Sequence, residues 1–182
     1  MTLPLELYLE QNKDITLIQK PFIDLESHRY NKYYCSKELI ESNDNHTNIL
    51  PDLQTYSFNI KVKFEIREAD EFGFLLFKGK DSPVRVGYNT ENEEVFIDKR
   101  FCGENFDPRL FTAPMKSRRG NIKLNIFVDN SSIEVFGNEG RKLITSLVFT
   151  DTDNSIDMFV KNGDVKIDEL IIEEIESIWT SS

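Results

Sequence analysis

The feature that most constrains this chain is a strict two-residue periodicity. In Asn121–Arg141, NIKLNIFVDNSSIEVFGNEGR, the residues Ile122, Leu124, Ile126 and Val128 alternate with Lys123, Asn125, Phe127 and Asp129. Alternation of this kind puts one row of side chains in a core and the other outside it, which marks a strand with one buried face. Asp129-Asn130-Ser131-Ser132 predicts a turn, because short polar side chains hydrogen-bond the local backbone. The chain then runs back over Ser132–Phe136 and turns again at Gly137-Asn138-Glu139-Gly140. The same period recurs in Ser57–Arg67, where Phe58, Ile60, Val62, Phe64 and Ile66 are predicted inward and Asn59, Lys61, Lys63 and Glu65 outward.

Shorter strands are predicted over Glu71–Phe77, Val84–Tyr88, Glu94–Asp98, Lys142–Phe149, Ser155–Val160 and Val165–Ile172. Asn162-Gly163 predicts a hairpin between the last two, since both residues accept positive φ. Thr2–Leu9 and Ile15–Gln19 read as extended, punctuated by Pro4 and Pro21. Ile40–Asp52 reads as a loop, and Phe101–Gly120 as a long connection carrying Phe101, Phe106, Phe111, Pro108 and Pro114. Glu173–Trp179 suits a helical turn or a longer last strand equally well. Short strands with frequent turns predict an all-β fold, a two-layer antiparallel β-sandwich. Fourteen Phe suit a core fed by two sheets.

Composition narrows the function classes. A length of 182 residues suits one domain. The net charge of −10, with acidic residues scattered, gives no phosphate track, so no nucleic-acid partner is expected. No apolar run approaches the ~20 residues of a membrane helix, so no membrane partner is expected either. The opening MTLPLELYLE lacks a basic start and carries Glu6, unlike a signal peptide. Cys35 and Cys102 leave pairing open. With only His28 and His46 beside them, a zinc site finds little support. The run Asp151–Ser155 departs from an EF-hand at Ile156 and Asn162, where Gly and Glu are required. No nucleotide motif is present among the eight glycines. Asn45-His46-Thr47 and Asn130-Ser131-Ser132 match the glycosylation pattern.

Several motifs together resemble one family. Thr2-Leu3-Pro4-Leu5-Glu6-Leu7 looks like a TLPREL segment. Leu17-Ile18-Gln19-Lys20-Pro21 and Asp24-Leu25 look like the linker that follows it. Glu71-Phe72-Gly73-Phe74, Val86-Gly87-Tyr88-Asn89, Val95–Arg100, Gly103–Pro114 and the Asn121–Arg141 block complete the pattern. The chain thereby resembles the C-terminal β-sandwich domain of glycoside hydrolase family 32, the levanases, inulinases and invertases. The resemblance implies a concanavalin A-like sandwich over residues 29–182, preceded by a junction segment over residues 1–28. It also implies, as partner, a five-bladed catalytic propeller outside this chain. Leu5, Lys99 and Asn130 stand where the family often has arginine, so a forked carboxylate-binding donor is lost at each.

The family's catalytic motifs have no counterpart here. Trp179 is the lone tryptophan and lies in no WMNDPNG-like context. Asp107-Pro108 follows Phe106 rather than arginine, and Cys102 is followed by Gly103 rather than preceded by glutamate. No catalytic residue, metal or cofactor is therefore carried over. Retaining glycosidases need two carboxylates about 5 Å apart. Asp129 and Glu134 flank one turn, but the simpler expectation is structural: Asp129 accepting turn hydrogen bonds, and Glu134 facing solvent or a partner domain. Phe101, Phe106 and Phe111 are candidate sugar-stacking or interdomain contacts; capping of the sandwich or packing against a neighbouring domain is the preferred reading, because Tyr or Trp would hold hydroxyls better.

The expected role is that of a non-catalytic domain of a fructan hydrolase, packing on and stabilising its propeller, with homo-oligomerisation as a further option. The alternative is a lectin-like module that binds fructan or sucrose; a free-standing small lectin is a third reading, against which the junction segment speaks. Both a secreted levanase-like parent and a cytoplasmic sucrose-hydrolase-like parent are open.

Overall fold

A computed structural model of the chain describes residues 3–11, 14–22, 29–42, 50–53, 55–78, 83–102, 108–148 and 155–176. Its strands, in chain order, are β1 (Leu5–Gln11), β2 (Ile15–Pro21), β3 (Arg29–Cys35), β4 (Glu38–Glu41), β5 (Phe58–Ile66), β6 (Glu71–Leu76) and β7 (Val84–Asn89). There follow β8 (Glu94–Asp98), β9 (Leu110–Pro114), β10 (Asn121–Asp129), β11 (Ser132–Gly137), β12 (Lys142–Leu147), β13 (Ile156–Lys161) and β14 (Asp164–Ile175). The larger sheet runs β12-β11-β10-β5-β14, with β3 and β4 sharing the far side of β14. The smaller runs β13-β6-β7-β8-β9, and β1 pairs with β2 alone. All pairings are antiparallel.

The two main sheets face each other across one core, so the fold is the all-β two-layer sandwich that the alternation predicts. Phe58, Ile60, Val62 and Phe64 of β5 and Ile122, Leu124, Ile126 and Val128 of β10 are all buried, on the phase read from the sequence. Facing them are Phe72, Phe74, Val86, Tyr88 and Ile97 of the smaller sheet. Phe64 and Phe72 meet edge to face at 4.9 Å between ring centroids, a geometry worth about 1 kcal/mol beyond the area it buries. The Tyr88 hydroxyl donates to the Met115 carbonyl at 2.9 Å, and burial pushes its pKa up to about 12.

Three local expectations are corrected. Asn162 and Gly163 do take positive φ, 51° and 100°. They do not close a hairpin, however: β13 pairs with β6 in the smaller sheet while β14 pairs with β5 in the larger. The turn is a corner between layers, fixed against the corner that carries β5 into β6, where Ala69 N–H donates to Asp164 O and Asn162 Nδ2 to Asp70 Oδ2. Secondly, the connection after Phe101 contains β9, paired from Asp98↔Leu110 to Glu94↔Pro114. A proline there is tolerated because β9 is an edge strand. Thirdly, β4 occupies the start of the stretch read as a loop. The end left undecided is strand as far as Ile175. No disulfide joins Cys35 and Cys102.

Candidate functional site: the N-terminal hairpin and the face it covers

Leu5 to Gln11 and Ile15 to Pro21 form a complete antiparallel ladder, Leu5↔Pro21 through Gln11↔Ile15. Because strand side chains alternate, Leu7, Leu9, Ile15 and Leu17 fall on one face, and Tyr8, Glu10 and Ile18 on the other. Ile18 is buried, and Glu10 turns to the sandwich, where its carboxylate forms an ion pair with Arg141. The backbone fixes the seat: Gln19 N–H donates to Gly140 O at 2.9 Å. Gly140 has φ of 88°, and a Cβ there would come within 2.2 Å of Gln19 O, so the approach depends on glycine.

Ahead of β1 the chain lies on the outer face of the larger sheet. Phe127 and Phe136, buried and edge to face at 5.8 Å, are covered there by Leu3 and Leu5, with Leu143 and Ile175 beside them. Glu134 sits in this seam, 3% exposed, and its Oε1 accepts the Leu3 N–H at 2.7 Å. Burial pushes its carboxyl above the usual range, against the Leu3 hydrogen bond that favours the charged form. Glu134 therefore faces neither water nor a separate partner but the chain's own N-terminal segment.

The other candidates do not converge on it. Asp129 Oδ1 accepts from Ser57 Oγ at 2.7 Å and from Asn130 N–H at 2.8 Å. It stands opposite Ser132, whereas Glu134 stands opposite Phe127, so the two carboxylates occupy different register steps with separate partners. Phe111 packs on the core edge in β9, with Lys99 Nζ 5.4 Å from its ring centroid. Phe101 is 72% exposed, beside the Arg100 guanidinium. Phe106 lies outside the described residues. Phe127, Phe136, Ile15 and Leu17 were not singled out from the sequence. The available signal was the presence of Phe in the outward row of β10 and β11, where the period calls for polar residues.

The seated hairpin leaves one surface without cover among the described residues. Leu7, Leu9, Ile15 and Leu17 are 59%, 73%, 70% and 45% exposed on a single face. Adjacent exposed aliphatic side chains of this kind mark a surface shaped for an apolar neighbour. The smaller sheet's outer face is different. Phe159 lies over Gly87, and Arg85 stacks on it at 4.4 Å while bonding Glu71 at 2.7 Å, so the aromatic rings are capped rather than offered.

The family described as "Glycosyl hydrolases family 32 C terminal" matches residues 24–174. A levanase of Bacillus subtilis is 33% identical over 98% of this chain and 27% of its own length. An extracellular exo-inulinase of Aspergillus niger is 27% identical, over 98% of this chain and 35% of its own. The crystal structure of the exo-inulinase from Aspergillus awamori superposes with a TM-score of 0.82 at 24% identity, covering 98% of this chain and 36% of that one. The sucrose-6-phosphate hydrolase of Lactobacillus gasseri superposes with a TM-score of 0.70 at 21% identity, covering 95% of this chain and 33% of that one; both superpositions speak to the fold alone. The chain thus spans about a quarter to a third of these four relatives, and within glycoside hydrolase family 32 it belongs to the C-terminal β-sandwich domains.

Proposed function

We propose that this chain is the non-catalytic sandwich of a fructan-hydrolysing enzyme of the levanase type, and that it packs on a catalytic propeller through the apolar face of its β1–β2 hairpin. The observation that carries the reading is the row Leu7, Leu9, Ile15 and Leu17. It is held in place by the sandwich and covered by nothing among the described residues. The share of each relative that this chain covers supports it, since most of each levanase or inulinase lies outside the matched region.

In this reading the sandwich does no bond-breaking. Its two weighed carboxylates already serve structure: Asp129 holds a turn, and Glu134 holds the N-terminal segment. These four leucine-sized side chains are on average about 60% exposed, so covering what remains, at about 1.5–3 kcal/mol for a full burial, would supply about 4–7 kcal/mol of gross driving force, before the cost of association. The binding-module alternative calls for uncovered aromatic rings along a sheet face; on the smaller sheet the capped Phe96 and Phe159 do not offer that, and on the larger sheet the exposed rings are those of Tyr30 and Tyr34 on β3.

The test has two arms. The chain alone is expected to release no fructose from levan, inulin or sucrose. A separately produced catalytic half is expected to bind it and melt at a higher temperature in its presence, by mass action on the native state. Sugar release by the purified chain, or no complex and no thermal shift at about tens of micromolar, contradicts the proposal. Saturable fructan binding by the isolated chain, much tighter than about 1 mM, favours the binding-module reading instead.

A further inference from the structure

Beyond the hairpin, on the same outer face of the larger sheet, lies a cleft of about 410 Å³. Lys63, Arg118, Arg119, Asn121, Lys123, Asn138 and Glu139 line it. Four of these seven are cations, in a chain whose net charge is −10. Part of that charge is neutralised. Lys123 Nζ bonds Glu139 Oε1 at 2.6 Å, and Lys63 bonds Asp168 at 2.6 Å. The Lys123 hydrogen bond keeps the Glu139 carboxyl below the usual range, so it is ionised. The guanidinium groups of Arg118 and Arg119 have no ion pair within 4.0 Å among the described residues. The cleft therefore carries a positive surplus at the two arginines.

Two further observations concern the turn that presents them. Arg118 and Asn121 exchange backbone hydrogen bonds of 2.9 and 3.1 Å around Arg119 and Gly120. Both central residues have positive φ, 53° and 75°. This is the two-residue hairpin turn in which Asn-Gly or Gly-Gly is usual. A long side chain at Arg119 works against that local preference. Next to it, Asn121 Nδ2 donates to Arg119 O at 2.9 Å, while Asn121 Oδ1 is buried with no hydrogen-bond partner. A buried acceptor without a donor is uncommon and costly.

We propose that this cleft binds a small hydroxylated molecule bearing an oxyanion, of sugar-phosphate chemistry. Arg118 and Arg119 grip the anion, since a planar guanidinium matches phosphate oxygens in pairs. Turning the Asn121 amide outward, at the loss of its Nδ2 hydrogen bond to Arg119 O, would present its oxygen as the acceptor for a ligand hydroxyl. A neutral fructan chain fits less well, because no aromatic ring lines the cleft. A long polyanion is disfavoured by the charge of the rest of the chain. The volume suits a monosaccharide-sized ligand, at the small end of the usual range of about 300–1,000 Å³. The inference is independent of whether a propeller packs on the hairpin.

The experiment titrates the isotope-labelled chain with inorganic phosphate, with fructose 6-phosphate and with fructose, following backbone amides by NMR. Saturable shifts are expected at Arg119, Asn121 and Lys123, with a Kd for fructose 6-phosphate of about 1 mM or tighter, a weaker response to phosphate, and none to fructose. Added sodium chloride should weaken the binding. The double variant Arg118→Ser, Arg119→Asn should lose about tenfold in affinity. Its melting temperature should hold or rise, because asparagine accepts positive φ more readily than arginine. Three results overturn the proposal: no saturable shift with either phosphate at about 20 mM, an equal response to fructose, or a folded double variant with wild-type affinity.

Discussion

The two outer faces of the sandwich solve the same problem in different ways. Each sheet carries apolar side chains on the side away from the core. On the smaller sheet, Phe96 and Phe159 are closed by side chains of that same sheet: Arg85 stacks on both rings, anchored by Glu71 and by Asp98 at 3.9 Å. On the larger sheet, Phe127 and Phe136 are closed by a distant part of the chain, through Leu3 and Leu5. A face closed by its own sheet is finished once the sheet forms. A face closed by a separate segment ties that segment down, and the segment then carries its own exposed surface outward. The larger sheet's outer face thus becomes a mount for the hairpin, and the smaller sheet's does not.

The sharpest way to break this contrast is Phe136→Ala. It should cost about 3–5 kcal/mol in urea unfolding, as buried Phe truncations do, and should free Leu3–Pro21 to proteolysis. Phe159→Ala, on a half-buried ring, should cost less and leave the hairpin protected. Next comes Asp98→Asn on the smaller sheet. Asp98 accepts from Arg100 Nε at 2.9 Å and Nη2 at 2.8 Å. Burial pushes its carboxyl upward, but the Arg100 hydrogen bonds and the nearby Arg85 charge bring it below the usual range. A loss of about 2 kcal/mol is expected at neutral pH. Since the folded-state pKa is depressed, this stabilisation is present above the unfolded-state value near 3.9 and is lost as pH falls through the folded one. The gap between wild type and variant should therefore close in acid.

Gly140→Ala should cost about 1–2 kcal/mol, because alanine at φ of 88° meets Gln19 O. Unlike Asp98→Asn, it should expose the hairpin amides to hydrogen exchange. The smallest effect is expected from Glu134→Gln, within about 1 kcal/mol and in the stabilising direction at neutral pH. Glutamine keeps an acceptor for Leu3 N–H without a buried charge. The raised folded-state pKa of Glu134 has the opposite sign to that of Asp98: its penalty is absent below the unfolded-state value near 4.3 and grows as pH rises through the folded one. The advantage of the variant should vanish in acid.

Much of the fold is legible in the chain because β5 and β10 are long, keep their apolar inward rows in phase, and pair side by side. Periodicity reports which side chains go inward; it says nothing about which sheet a strand joins. Asn162-Gly163 was therefore readable as a tight turn and not as a corner between layers. The edge strand β9 escaped notice because Pro114 and closely spaced Phe residues read as loop chemistry, and an edge strand needs only one partner. The candidate site was less legible. Leu3, Leu5, Leu7 and Leu9 alternate with Pro4, Glu6 and Tyr8, yet Leu5 is seated while Leu7 and Leu9 stand clear, a division set by where the hairpin leaves the sandwich rather than by residue type. Glu134 looked like a surface residue because its strand phase is outward, and only tertiary packing reveals that this outward side is covered.

The most direct measurement of the central claim is hydrogen exchange across β1 and β2, in the chain alone and mixed with a separately produced catalytic half. It is paired with a Leu9→Ser, Leu17→Ser variant whose sandwich remains folded. The account predicts that the hairpin amides gain protection in the mixture, that the smaller sheet's outer face does not, and that the variant weakens the complex by about 10²-fold or more, a loss of roughly 3 kcal/mol. Unchanged hairpin protection in a mixture that does associate, or a variant that binds as tightly as the wild type, would show that the Leu7–Leu9–Ile15–Leu17 face is not the surface the catalytic domain covers.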